Sequence, residues 1–217
     1  MLITALSAIA LGYLAILVLL FSMQRSMLFP RPEKGRAPDY PQATLITIPA
    51  TADVPYEGKA LYLKAPPGGR TLVHFHGNGE QLADVTDVTS LAQGRGMGFF
   101  APEYPGYGLL SQTAPSQDAL FAAADASLKH LTKTLGVPSE QLTLEGQSLG
   151  SGVAVEMAAR GYGNRLILVS AYTAISDVAA DIYPWLPIRA LVRDPFNSAA
   201  RASGVSQPVL LVHARHD

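Results

Sequence analysis

Cysteine is absent from the 217 residues, which excludes disulfides, a cysteine nucleophile and thiolate metal sites. An excess of charge is absent too: 16 basic residues stand against 17 acidic ones, for a net charge of −1. With no basic patch or stripe, no nucleic-acid partner is implied. The five histidines form no His-x-x-x-His or His-Glu-x-x-His pattern, so no metal site and no cofactor is implied. No Gly-x-Gly-x-x-Gly opens a helix, which removes the dinucleotide fingerprint. What the chain does have is apolar residues, 48% of the total, enough for the core of one domain of moderate size.

Charge is missing most conspicuously at the start. Met1 to Gln24 carries no charged side chain, and Leu2 to Phe21 is almost wholly apolar. As a helix this run spans a hydrocarbon core of about 30 Å. A cleaved signal peptide is the competing reading. It wants a basic start, a shorter apolar run and a small-x-small cleavage site, and none of these is present. Residues 1–24 are therefore expected to be a retained transmembrane anchor. Arg25, Arg31, Lys34 and Arg36 follow it against Glu33 alone, so the positive-inside bias puts the remainder of the chain in the cytoplasm. Residues 25–42, with Pro30, Pro32, Pro38 and Pro41, read as a stiff linker.

From residue 43 to 217 the pattern changes to that of a folded domain. Strands are expected at 43–48, 59–64, 71–75, 97–102, 141–145, 165–169 and 208–212. Helices are expected at 81–93, 116–135 and 149–160. Strands alternating with helices imply an α/β fold, a mostly parallel sheet with helices on both faces. Ligands bind such sheets outside the carboxyl ends of the strands. The short polar and Gly-rich clusters all fall there: His76-Gly-Asn-Gly-Glu80, Glu103-Tyr-Pro-Gly-Tyr-Gly108, Gly146-Gln-Ser-Leu-Gly150, Ser170-Ala-Tyr-Thr173 and His213-Ala-Arg-His-Asp217.

These loops suit acyl transfer, which needs a nucleophile, a base, an orienting acid and donors for an oxyanion. Ser148 sits in a Gly-x-Ser-x-Gly between an expected strand and an expected helix, the setting that lifts a serine hydroxyl off the sheet edge. The oxyanion donors would be the backbone amides of Leu149 and Asn78. Asp217, five residues past the last expected strand, is the candidate acid. The base is harder to place. His74 reads as a core group, His76 as a prop for the Asn78 loop, His130 as remote on a helix and His213 as a strand end, while His216 adjoins Asp217. In the order Ser…Asp…His the histidine follows Asp217. The chain is thus expected to be C-terminally truncated, lacking its last strand, histidine loop and final helix.

With these residues in view, the chain resembles the α/β-hydrolase superfamily. More narrowly, it is similar to the membrane-anchored, lid-poor serine hydrolases of the branch that includes protein depalmitoylases. The resemblance runs from Gln24-Arg-Ser-Met-Leu-Phe-Pro30 to Asp217. It includes the loops above together with Ser170-Ala-Tyr-Thr-Ala-Ile-Ser-Asp177 and Pro184-Trp-Leu-Pro187. Ala214 departs from it, standing where members usually carry Gly. The resemblance implies Ser148 as nucleophile, Asp217 as triad acid, and the Asn78 and Leu149 amides as the oxyanion hole. It also implies a short cap at about 171–200, where Tyr183, Trp185, Leu186 and Ile188 either line an acyl pocket or pack the cap onto the domain. The expected activity is hydrolysis of carboxylic esters or thioesters of a small-molecule or lipid/acyl substrate, with the membrane as partner through the N-terminal helix. The alternative is a catalytically inactive relative that binds an acyl ligand or a protein.

Overall fold

A computed structural model describes residues 2–30 and 35–214. Its centre is a seven-stranded sheet: β1 (Thr44–Ile48), β2 (Gly58–Leu63), β3 (Thr71–Phe75), β4 (Gly98–Pro102), β5 (Leu142–Gln147), β6 (Arg165–Val169) and β7 (Val209–Val212). The spatial order is β1-β2-β4-β3-β5-β6-β7. β1 and β2 are antiparallel, β2 runs antiparallel to β4, and all later pairings are parallel. The helices are α1 (Leu2–Leu28), α2 (Thr86–Gly94), α3 (Gln117–Lys129), α4 (Leu149–Ala159), α5 (Ile175–Ile182), α6 (Ile188–Leu191) and α7 (Ser198–Arg201). This is the α/β-hydrolase fold.

Strand alternation sorts the core into two layers. Ala60, Val73, Phe75, Phe100 and Leu144 enter the larger cluster, which includes Leu120 and Leu128 of α3 and Val153 and Met157 of α4. Their neighbours Leu61, Leu63, Phe99 and Ala101 join Ala92 of α2 in the smaller one. β4 is buried along its whole length, as a central strand covered on both faces must be.

Three expected helices differ in detail. The 81–93 stretch is a short 3₁₀ turn at Leu82–Asp84 followed by α2. α2 takes in Gly94, and Gly96, at φ +68°, is the residue that turns the chain out of it. The 116–135 stretch begins as α3, capped by Ser116 Oγ accepting from Ala119 N at 3.1 Å. It then widens into a π turn over His130–Thr134, closed by Leu135 N donating to His130 O at 3.1 Å. α1 runs on past residue 24 to Leu28, and Phe29 is buried in the larger core cluster. Residues 25–29, expected to start the linker, therefore belong to a docked element.

Candidate active site

β3 has β4 on one side and β5 on the other. The loops after β3 and β5 therefore leave the sheet at its topological switch point, where a crevice opens. Phe75 and Gly146 are register partners, which sets the Asn78 loop beside the Ser148 turn.

Ser148 joins β5 directly to α4 with φ +47° and ψ −116°. A positive φ on a non-glycine residue costs on the order of 1–3 kcal/mol, so the surroundings must hold it. They do: Ser148 N donates to Val169 O at 2.9 Å, and Ser148 O accepts from Ser151 N at 2.9 Å and Ser151 Oγ at 2.6 Å. Gly150 is required because a Cβ there would strike Phe75 O and His76 O, and one on Gly146 would strike Gly150 O. Ser148 itself is exposed, its hydroxyl offered at the carboxyl edge of the sheet.

The facing loop is held by buried polar groups. His76 is fully buried, its Nδ1 3.0 Å from Gly77 O and its Nε2 3.2 Å from Glu103 Oε1. The Tyr104 ring lies tilted against the imidazole, centroids 4.1 Å apart, and its hydroxyl donates to His76 O at 3.2 Å. Glu103 Oε2 also accepts from Leu82 N and Leu109 N, each at 3.3 Å. Glu80 Oε2 accepts from Gly77 N at 2.5 Å, and its Oε1 accepts from Gln147 Nε2, beside Ser148, at 3.5 Å. Asn78 is fixed by its side chain: Tyr107 OH donates to Oδ1 at 2.6 Å, and Nδ2 donates to Leu28 O at 2.7 Å. No acceptor among the described residues takes the Asn78 or Leu149 backbone amide.

On the far side, Tyr172 OH donates to Leu149 O at 3.2 Å, and Gly152 makes room for that ring. Burial pushes both the Tyr172 and Tyr104 phenols well up from their usual range, so both stay neutral donors. Ser170, at φ +48°, ends β6, its amide donating to Val212 O at 2.8 Å.

The structure therefore puts Ser148 and Leu149 on one loop and Asn78 on the adjacent one, at the same edge of the sheet. Asp217 and His216 lie outside the described residues. His74 is paired with Glu145 inside the sheet, His130 opens the π turn, and His213 Nε2 lies 2.8 Å from Ala171 O. Among the described residues no group of three His, Asp or Glu side chains could hold a metal. Sequence reasoning did not find the props: Tyr107 on Asn78, Tyr172 on Leu149, or Leu28 of α1 under the Asn78 loop. The first could have been sought in Tyr104-Pro-Gly-Tyr-Gly108; the last has no local signal.

No family model matches the chain. It is similar to an uncharacterized Mycobacterium tuberculosis protein, Rv2307c, with 29% identity over 96% of this chain and 75% of that protein. It is similar also to the human alpha/beta hydrolase domain-containing protein 17C, with 31% identity over 72% of this chain and 47% of that protein. The chain thus spans about three quarters of the first relative and about half of the second. Among solved structures, an α/β hydrolase of Vibrio vulnificus superposes with a TM-score of 0.63 at 19% identity, over 78% of this chain and 63% of that one. The Pyrococcus furiosus esterase Pf2001 gives 0.63 at 14% identity, over 83% and 74%. The relatives' names and the fold together support membership of the α/β-hydrolase superfamily.

Proposed function

We propose that the chain is a serine hydrolase of carboxylic esters or thioesters, with Ser148 as nucleophile. The observation that carries this reading is the exposed Ser148, held at a strained φ, with the Leu149 and Asn78 amides beside it and no protein acceptor for either among the described residues. Ser148 Oγ attacks the acyl carbonyl as a histidine, oriented by Asp217, takes its proton. That histidine is proposed to follow Asp217 in chain order. The oxyanion settles on the two amides, and removing one such donor costs about 3 kcal/mol of transition-state stabilisation. The alcohol or thiol leaves with the proton, and water then releases the acid from the acyl-serine. The esterase and hydrolase names among similar proteins support the reaction class.

The apolar N-terminal helix, long enough to cross a bilayer, supports a single-pass anchor and a membrane-resident acylated substrate, as in the depalmitoylase branch; the basic flank at Arg25, Arg31, Lys34 and Arg36 supports a cytoplasmic domain. A fluorophosphonate probe should label the folded, full-length protein, proposed histidine included, at Ser148 and fail on Ser148→Ala. Folded, full-length protein that takes no label would overturn the proposal.

A further inference from the structure

α1 does not simply leave the domain. Its face at Leu17, Leu20, Gln24 and Leu28 is half-buried, the i, i+3, i+7 spacing of one helix side. This side lies against the cap. Tyr13 OH donates to Trp185 O at 3.1 Å at one end. At the other, Arg25 forks onto Asp194, Nε to Oδ2 at 2.8 Å and Nη2 to Oδ1 at 3.3 Å. The two elements are thus pinned at both ends, and between them lies a cavity of about 310 Å³. Leu17, Leu20 and Phe21 form one wall; Val178, Ile182 and Leu186 form the other. Among the described residues no charged side chain lines it. Gln24 is spent, donating to Leu191 O at 3.2 Å and accepting from Arg193 N at 2.8 Å.

The docked stretch belongs to the apolar run: no charged side chain interrupts α1 before Arg25. If α1 crosses a bilayer, Tyr13 to Phe21 is part of the segment that crosses, and the cavity beside Leu17, Leu20 and Phe21 lies in the hydrocarbon with it. The outside of the cap agrees: Trp185, which is not part of the cavity wall, is 57% exposed. The cavity volume is at the low end of ligand pockets. Leu28, which lines the cavity, also accepts the Asn78 side chain at 2.7 Å. Leu28 is thus shared between the cavity wall and the contact that holds the candidate oxyanion loop.

We infer that this cavity is an acyl-chain site, one wall supplied by the anchor helix and the other by the cap, which takes its ligand sideways from the lipid. The occupant is the hydrocarbon tail of the ester or thioester whose carbonyl meets Ser148, so the inference rests on the hydrolase reading. The test uses the full chain in detergent micelles and a long-chain fatty acid carrying a diazirine. Irradiation should attach it to peptides 17–28 and 175–192. Ala179→Phe from the cap and Leu20→Trp from the anchor, each checked for folding by circular dichroism, should each cut that label about fivefold or more by filling the space. In ester hydrolysis, the ratio of kcat/KM for a long-chain over a short-chain ester should fall about tenfold in either variant. Label elsewhere, or label and ratio unchanged in a folded variant, overturns the inference. Photolabelling without hydrolysis or fluorophosphonate labelling keeps the cavity and sinks the catalytic reading. Hydrolysis without photolabelling does the reverse.

Discussion

Tyr107 and Gly150 show how single atoms set the crevice. Tyr107 is buried and gives its hydroxyl to the Asn78 side chain at 2.6 Å, so Tyr107→Phe removes one hydrogen bond and little volume. The loss in stability should be about 0.5–1.5 kcal/mol. Because the bond aims the Asn78 loop, kcat should fall several-fold while KM barely moves; an equal change in both would point to a merely structural role. Gly150→Ala adds a carbon against Phe75 O and His76 O. Neither carbonyl can retreat without breaking the β3 turn, so the cost should be at least the 1–3 kcal/mol of core overpacking, read as a lower urea midpoint. Tyr104 and Tyr172 add a pH effect. Burial raises both phenols in the folded state, so the unfolded chain releases those protons first. Stability should hold below about pH 10 and fall as pH rises through the ordinary phenol range. Tyr172→Phe should flatten that decline in urea midpoints measured from neutral to alkaline pH.

At the scale of elements, what was legible in the sequence is what is locally encoded. The strands at 71–75 and 165–169 fall where the apolar runs place them, and the Gly146–Gly150 turn announces its own sterics. α5 has a local signal too, since Ile175, Val178, Ala179 and Ile182 mark one face of a helix. The π turn after α3 has no such signature, since nothing in His130–Thr134 sets it apart from helix. The docking of α1 was illegible for a different reason. A helix apolar on every side has no stripe to show which side is occupied. The polar side chains that tie it to the cap, those of Tyr13, Gln24 and Arg25, find their partners Trp185, Leu191, Arg193 and Asp194 far along the chain. Asp194 is nearly buried and also accepts from Gln117 N at 2.8 Å at the start of α3. Arg25→Gln would leave that carboxylate with α3 alone. The Arg25 side chain is 41% exposed, so water compensates in part, and the global loss should be about 1 kcal/mol. The local effect should be larger: amides of 175–192 should lose hydrogen-exchange protection while β3 and β5 keep theirs. Unchanged protection in the cap would show that the ion pair does not hold it to α1.

For the whole molecule, the open question is how deep the cap sits. A domain standing on a stalk above the membrane would keep α5 and α6 in water. The docked stretch of α1 argues otherwise, because Tyr13 to Phe21 belongs to the same uncharged run that would cross. The chain supplies its own depth gauge, since Trp185 is its one tryptophan and lies on the exposed side of the cap, its carbonyl bound by Tyr13. Tryptophan is at home at the level of the headgroups and upper acyl chains. In vesicles, Trp185 emission should shift to the blue and be quenched by lipids brominated along the acyl chain. A soluble quencher such as acrylamide should reach it less than in micelles. Arg25→Gln should reduce the lipid quenching if the clamp sets the cap's depth, without releasing the chain from the vesicles, because α1 remains. Trp185 emission left unquenched by any brominated lipid, in vesicles that hold the chain through alkaline carbonate extraction, would place the cap in water. The acyl site would then have to open to solvent, and α1 would have to part from the cap in order to cross.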